Sequence, residues 1–184
     1  FKVLYHKIGK QLDVRVMHIT EYLSDLINNG KLKLTKDLRK TVTYHDPCHL
    51  GRLSEPWIPW QGVEKKVLNQ LIVHEPKKVW RRGAGGIYEP PREILTSIPG
   101  LKLVEMERIK EYSWCCGAGG GVKEAFPDFA LRTALERIAE AEATGAEAMV
   151  TACPWCVRNF KDAIEESGSE LKIYDIVDLV QKVI

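Results

Sequence analysis

An α/β fold, with parallel βαβ units in a three-layer sandwich, is predicted by three features of this sequence. Short β-branched and aromatic runs alternate with stretches of helical period along most of the chain, the rhythm of strand, crossover helix and next strand. Three of those runs are followed by cysteine: Cys48 in HDPCH, Cys115 and Cys116 in YSWCCGAGGG, and Cys153 and Cys156 in TACPWC. Ligand sites of open parallel sheets lie beyond the carboxyl ends of the strands, so this order would gather all five thiols at one edge.

The apolar positions Val16, Ile19, Leu23, Leu26 and Ile27 predict an amphipathic helix that stops at Asn28-Asn29-Gly30. With the charged connector KLKLTKDLRK it makes an N-terminal unit, residues 1–40, ahead of a main domain, residues 41–184. Thr41–Tyr44 predicts a strand ending at Asp46-Pro47-Cys48. Residues 53–86 read as an insertion, with Trp57, Trp60 and Trp80, three prolines, and six Lys/Arg against three Asp/Glu. Aromatic and arginine enrichment suits a docking surface for an acidic partner, and tryptophans packed on their own domain are the alternative. Pro90-Pro91 opens a short helix to Ile98, and Leu101–Met106 alternates as a strand. A long helix is expected from Pro127 to Ala143, with Phe126, Ala130, Leu131, Ala134, Leu135 and Ile138 inward and Phe129 also in the core. Ala148–Thr151 reads as a buried strand and Pro154 as the start of a helix to Glu166. Leu171–Tyr174 and Asp175–Val183 close the chain as strand and helix.

The bulk numbers exclude several classes. The 184 residues, 45% hydrophobic and 28% charged, suffice for a core, and a net charge of +2 argues against nucleic acid. No apolar run reaches the length of a membrane span. Five cysteines, an odd number without a secretion signal, point to reduced thiols in the cytoplasm used as metal ligands or redox groups. The start at Phe1 suggests part of a longer protein.

Five thiolates suit an iron-sulfur cluster better than one tetrahedral zinc ion, for which only Cys153 and Cys156 have the usual spacing. A redox dithiol at Cys153-Pro154-Trp155-Cys156 is the third possibility, and it leaves three cysteines idle. The glycines Gly117, Gly119, Gly120 and Gly121 lack the lysine and hydroxyl of a phosphate loop. They fit close backbone approach to a cluster, with N–H groups directed at its sulfurs. His45 and His49 flank Cys48 and, with Asp46, could donate protons to a leaving thiolate. Turn capping by Asp46 and His45 explains the same residues more plainly. Arg52 and Lys123 are candidates for attracting an anionic thiol or are simply solvated, and His6, His18 and His74 belong to no pattern.

The cysteine pattern, together with YHDPCHLGR, IYEPPREIL, IPGLKLVEM and WCCGAGGG, resembles the cysteine-rich CCG domain of heterodisulfide reductase catalytic subunits. The 36 residues between Cys116 and Cys153 match that pattern. The 66 between Cys48 and Cys115 do so once the 34 of the insertion are removed, leaving 32. The resemblance implies a noncubane [4Fe-4S] cluster on Cys48, Cys115, Cys116, Cys153 and Cys156, on which a disulfide is split in one-electron steps, with zinc as the alternative metal. It also implies the second of two such domains, behind a ferredoxin-like domain. The Trp-rich insertion is most similar to DsrK-type subunits. That narrower likeness implies a protein disulfide or trisulfide substrate such as DsrC in dissimilatory sulfur metabolism, and membrane electron-transfer subunits at the inner face of the membrane. The neighbouring type acts on the heterodisulfide of coenzyme M and coenzyme B.

Overall fold

A computed structural model describes residues 3–184, the side chain of His6 excepted. After a single helical turn, α1 (Leu4–Lys7), the elements run α2 (Ile19–Asn28), β1 (Lys40–His45), β2 (Val63–Val67), β3 (Leu71–Glu75), α3 (Glu89–Ser97) and β4 (Leu101–Leu103). They continue as α4 (Val122–Ala125), α5 (Pro127–Glu142), β5 (Ala148–Thr151), α6 (Pro154–Ser167), β6 (Lys172–Asp175) and α7 (Ile176–Val183). Four strands form one fully parallel sheet in the order β4-β1-β5-β6, as the alternating sequence requires.

Successive strand residues face opposite sides, so the central strands serve two cores. Val42, Tyr44, Ala148 and Val150 meet Ile94, Leu95, Leu179 and Val183 of α3 and α7 on one face. Met149 meets Ala134, Ile138, Phe160 and Ala163 of α5 and α6 on the other. This is the three-layer α/β sandwich. Residues before β1 pack on the first core through Leu23, Ile27, Leu34 and Leu38.

Several boundaries differ from the sequence reading. Helix α2 starts at Ile19 because His18 caps it: its Nδ1 accepts from Thr20 N–H at 3.3 Å, and Glu21 returns the contact to His18 N–H at 2.7 Å. Strand β4 stops at Leu103 because Glu105 turns away to the Arg92 guanidinium, 2.7 Å off. Phe126 and Phe129 are 66% and 64% exposed, not core. Phe126 precedes the helix with non-helical backbone, and the buried stripe of α5 begins only at Ala130.

Residues 53–86 contain an antiparallel hairpin, β2–β3, that the sequence reading did not resolve. Its turn places Leu68 and Asn69 at φ 51° and 57°, a pairing that tight hairpins usually signal with Asn-Gly. The base of this segment is closed by Glu55, which accepts from Gly83 and Gly85 N–H at 2.8 and 3.1 Å. There the chain passes so close to itself that a Cβ on Gly86 would lie 2.2 Å from Gly51 O.

Candidate metal centre

The register of β1 against β5 pairs His45 with Thr151, which brings the turns after both strands to one edge. Cys48 lies in the first turn. Cys153 is the N-cap of α6 and Cys156 lies one helical turn further on the same face. The long segment after β4 carries Cys115 and Cys116 over the same edge. Its path is held by buried polar groups: Arg52 Nη1 donates to Ser113 O at 2.7 Å, Arg137 Nη2 to Ser113 Oγ at 3.1 Å, and Lys110 N–H to Asp46 Oδ2 at 2.8 Å. Arg108 stacks over Trp114, 4.0 Å from the ring centroid.

All five cysteines are free thiols, and each shifts the ionisation of its neighbour in the order Cys48, Cys115, Cys116, Cys156, Cys153. The Cys116–Cys156 sulfur separation is 3.1 Å. Hydrogen bonds along the chain divide the thiols into two kinds. Cys115 is held down to about 2 by donation from Cys116 and Cys48, aided by Gly117 N–H. Cys153 is lowered to about 6 by donation from Cys156 and by N–H groups at the start of α6. Cys116 is pushed up to about 11 by its bond to Cys115, and Cys48 and Cys156 are raised as donors in the same chain. Metal binding would displace the remaining thiol protons.

Cys48, Cys116, Cys153 and Cys156 wall a cleft of about 270 Å³, together with Pro47, His49, Gly119, Gly120 and Trp155. One water occupies about 30 Å³, so the space suits a group of several atoms rather than one ion. Gly117 N–H donates to Cys115 Sγ at 3.3 Å, and Ala118 N–H is directed at Cys116. Soft thiolates, a multi-atom cleft and backbone donors at the sulfurs fit an iron-sulfur cluster.

Gly117 is irreplaceable on two counts. Its φ is +86°, and a Cβ would sit 2.5 Å from Ala130 O on α5. Gly117→Ala is expected to cost about 1–2 kcal/mol in backbone strain alone and to reduce bound iron. Thermal unfolding and iron analysis check this; an unchanged melting temperature with full iron would show that the loop accepts a Cβ.

The other expected site residues separate. Gly119 and Gly120 wall the cleft with nothing within 4 Å of a built Cβ, so they leave its mouth open. His49 is exposed and lies on the wall, and it also borders a second cleft of about 350 Å³ that shares Pro47 and Cys153. His45 is 1% exposed and accepts from Arg137, and burial and the Arg137 charge hold it well below its usual range. Asp46 neither donates nor caps its own turn: it is gripped by both terminal nitrogens of Arg92 at 2.8 and 2.9 Å. Lys123 is tied to Asn159 and Asp162, and Arg52 to loop carbonyls, so neither is free for an anion.

Sequence reasoning missed Arg92, Arg137 and Asn159. Asn159 is fully buried, donates to Cys116 O at 2.6 Å and Ala130 O at 2.9 Å, and so ties the CCG loop to α5 and α6. Arg137 occupies the inward stripe of α5, where a charged residue in an apolar row was the available signal.

A family model for the cysteine-rich CCG domain matches residues 42–161. The chain is 42% identical over 173 residues to a dihydromethanophenazine:CoB--CoM heterodisulfide reductase subunit of Methanosarcina acetivorans, covering 94% of this chain and 35% of that protein. It is 34% identical over 182 residues to the probable iron-sulfur-binding oxidoreductase FadF of Bacillus subtilis, covering 98% of this chain and 21% of that one. A fumarate reductase (CoM/CoB) subunit of Methanothermobacter marburgensis is 33% identical over 177 residues, 96% of this chain and 28% of its own. The chain thus spans about a third or less of the curated relatives it matches. By the matched residues and by the relatives, this chain belongs to the cysteine-rich CCG domain family.

Proposed function

We propose that Cys48, Cys115, Cys116, Cys153 and Cys156 together hold a noncubane [4Fe-4S] cluster and that the site splits a disulfide or trisulfide. The observation that carries this reading is the gathering of five free thiols at one sheet edge, four of them lining one cleft and the fifth, Cys115, adjacent to Cys116. A single zinc ion takes four ligands and would leave one thiol over. Cleavage of RS–SR′ to two thiols takes up two electrons and two protons, and the bound cluster supplies electrons one at a time. This chain's residues would keep the sulfurs together, leave the Gly119–Gly120 side open to substrate, and offer His49 as the proton source at the cleft wall. The names of the relatives, heterodisulfide reductase and iron-sulfur oxidoreductase, support the reaction class.

The substrate favoured by the insertion is a disulfide or trisulfide on an acidic protein, as DsrC is for DsrK-type subunits. Within the insertion Ile58, Val79 and Trp80 are 81%, 89% and 59% exposed. Glu55, Glu64 and Glu75 are paired internally with Arg81, His74 and Lys65, and Lys78 is held over the Trp60 and Trp80 rings. Exposed Lys66, Lys77 and Arg82 carry the remaining charge. Reversing these three to glutamate is expected to lower kcat/KM for the protein substrate roughly tenfold or more at low salt, with turnover of a small disulfide unchanged; equal losses for both would remove the docking role. The name of the Methanosarcina relative favours a second reading, the heterodisulfide of coenzymes M and B. No helix of the described residues is long and apolar enough to cross a membrane, so attachment at its inner face would come through partner electron-transfer subunits.

Iron, zinc and acid-labile sulfide per chain, after anaerobic reconstitution, test the centre. About four iron and four sulfide support the cluster; about one zinc without sulfide overturns it. Turnover of protein disulfide against the coenzyme heterodisulfide then separates the two substrates.

A further inference from the structure

We propose that His45 is a positioning residue that donates an N–H hydrogen bond to the sulfur side of the metal centre, and that Arg137 assigns it this role rather than that of a ligand. The inference rests on the iron-sulfur reading above. Arg137 Nε donates to His45 Nδ1 at 3.2 Å. A guanidinium has donors only, so Nδ1 must present its lone pair, and the neutral ring then carries its hydrogen on Nε2. Nε2 is buried and has no partner among the described residues. An unmet buried donor costs about 1–3 kcal/mol, which an acceptor bound in the cleft would remove.

The acceptor side is identified by proximity. A ring nitrogen of His45 lies within 4.8 Å of the Cys116 and Cys156 sulfurs, and with Nδ1 taken by Arg137 the nitrogen available to an acceptor bound there is Nε2. His45, Cys116 and Cys156 have the outline of a metal-binding triad, yet a nitrogen bearing hydrogen has no lone pair for a metal. The ring is clamped by Phe160, edge-on with centroids 4.8 Å apart. Arg137 is in turn fixed by Glu140 at 2.6 Å, whose other oxygen accepts Arg108 N–H at 2.7 Å. This buried relay sets which nitrogen of His45 carries the hydrogen, and so makes His45 a donor. Hydrogen bonds to cluster sulfurs stabilise the more negative, reduced state and raise the reduction potential.

The test uses the full-length protein, anaerobically reconstituted, with iron and sulfide measured first. Absence of a cluster in the unaltered protein would sink the iron-sulfur reading itself. With the cluster loaded, His45→Met is expected to retain iron and sulfide and to shift the potential downward by about tenfold in the reduction equilibrium, ~59 mV for one electron. His45→Gln, whose amide restores an N–H, is expected to return most of that shift. An unchanged potential in a loaded His45→Met, or loss of iron in both variants, would overturn the proposal. Should His45→Met fail to fold, pulsed electron paramagnetic resonance of the ¹⁵N-histidine-labelled protein still decides. Weak nitrogen coupling to the reduced cluster supports the donor, and either strong coupling or none overturns it.

Discussion

Replacing Cys115 or Cys116 singly by serine is expected to abolish cluster retention, leaving little iron or sulfide after anaerobic reconstitution. The two residues are adjacent yet serve different neighbours. Cys115 links to Cys48 on the turn after β1, while Cys116, 4% exposed, links to Cys156 on α6. Loss of either sulfur cuts the chain in the middle and separates the two sides of the cleft. A serine oxygen is a hard donor and a poor substitute for thiolate toward iron. Circular dichroism would verify that the variants fold, since four cysteines and the surrounding network remain. A fully loaded cluster in either variant would show that the adjacent pair is not a ligand pair.

Arg92→Met is expected to destabilise the fold by about 3–5 kcal/mol, the cost of stranding one partner of a buried ion pair. Arg92 joins three segments: it grips Asp46 after β1, holds Glu105 after β4 at 2.7 and 3.1 Å, and donates to Tyr88 O at 2.9 Å within its own helix region. Without it, the buried Asp46 carboxylate keeps Lys110 N–H as its hydrogen-bond donor. At about 2–4 °C per kcal/mol for a chain of this size, the melting temperature should drop by roughly 10 °C or more. Adding Asp46→Asn removes the stranded charge and should recover part of the loss. A drop of less than a few degrees in the single variant would mean that solvent reaches Asp46. Because Asp46 also holds Lys110, the CCG loop should loosen in parallel, read as faster cluster loss in air.

How much was legible from sequence follows from the range of the forces involved. Helix α6 and strand β5 were readable nearly to the residue, because Pro154 and the short apolar run 148–151, ending in β-branched Val150 and Thr151, act locally. The hairpin is hard to read from sequence because its turn uses Leu68-Asn69: Asn69 suits a left-handed backbone, but nothing in the sequence announces one at Leu68. Phe126 and Phe129 look like core residues to any scale of hydrophobicity, yet only the point at which α5 meets its neighbours decides that burial begins at Ala130. His45 and His49 are equivalent in sequence, one on each side of Cys48. The pleat turns His45 toward Arg137 and Phe160, whereas His49 follows the turn into solvent.

The sequence by itself determined the alternating α/β order, the three cysteine clusters and the family, since periodicity, turn residues and thiol spacing are written along the chain. The tertiary structure alone decided that the three cysteine clusters meet at one edge, with Cys116 against Cys156, which histidine is dry, and which charges are spent inside. Those outcomes depend on residues far apart in sequence, such as Asp46 with Arg92 and His45 with Arg137, whose meeting is set by strand register and helix packing rather than by any local preference.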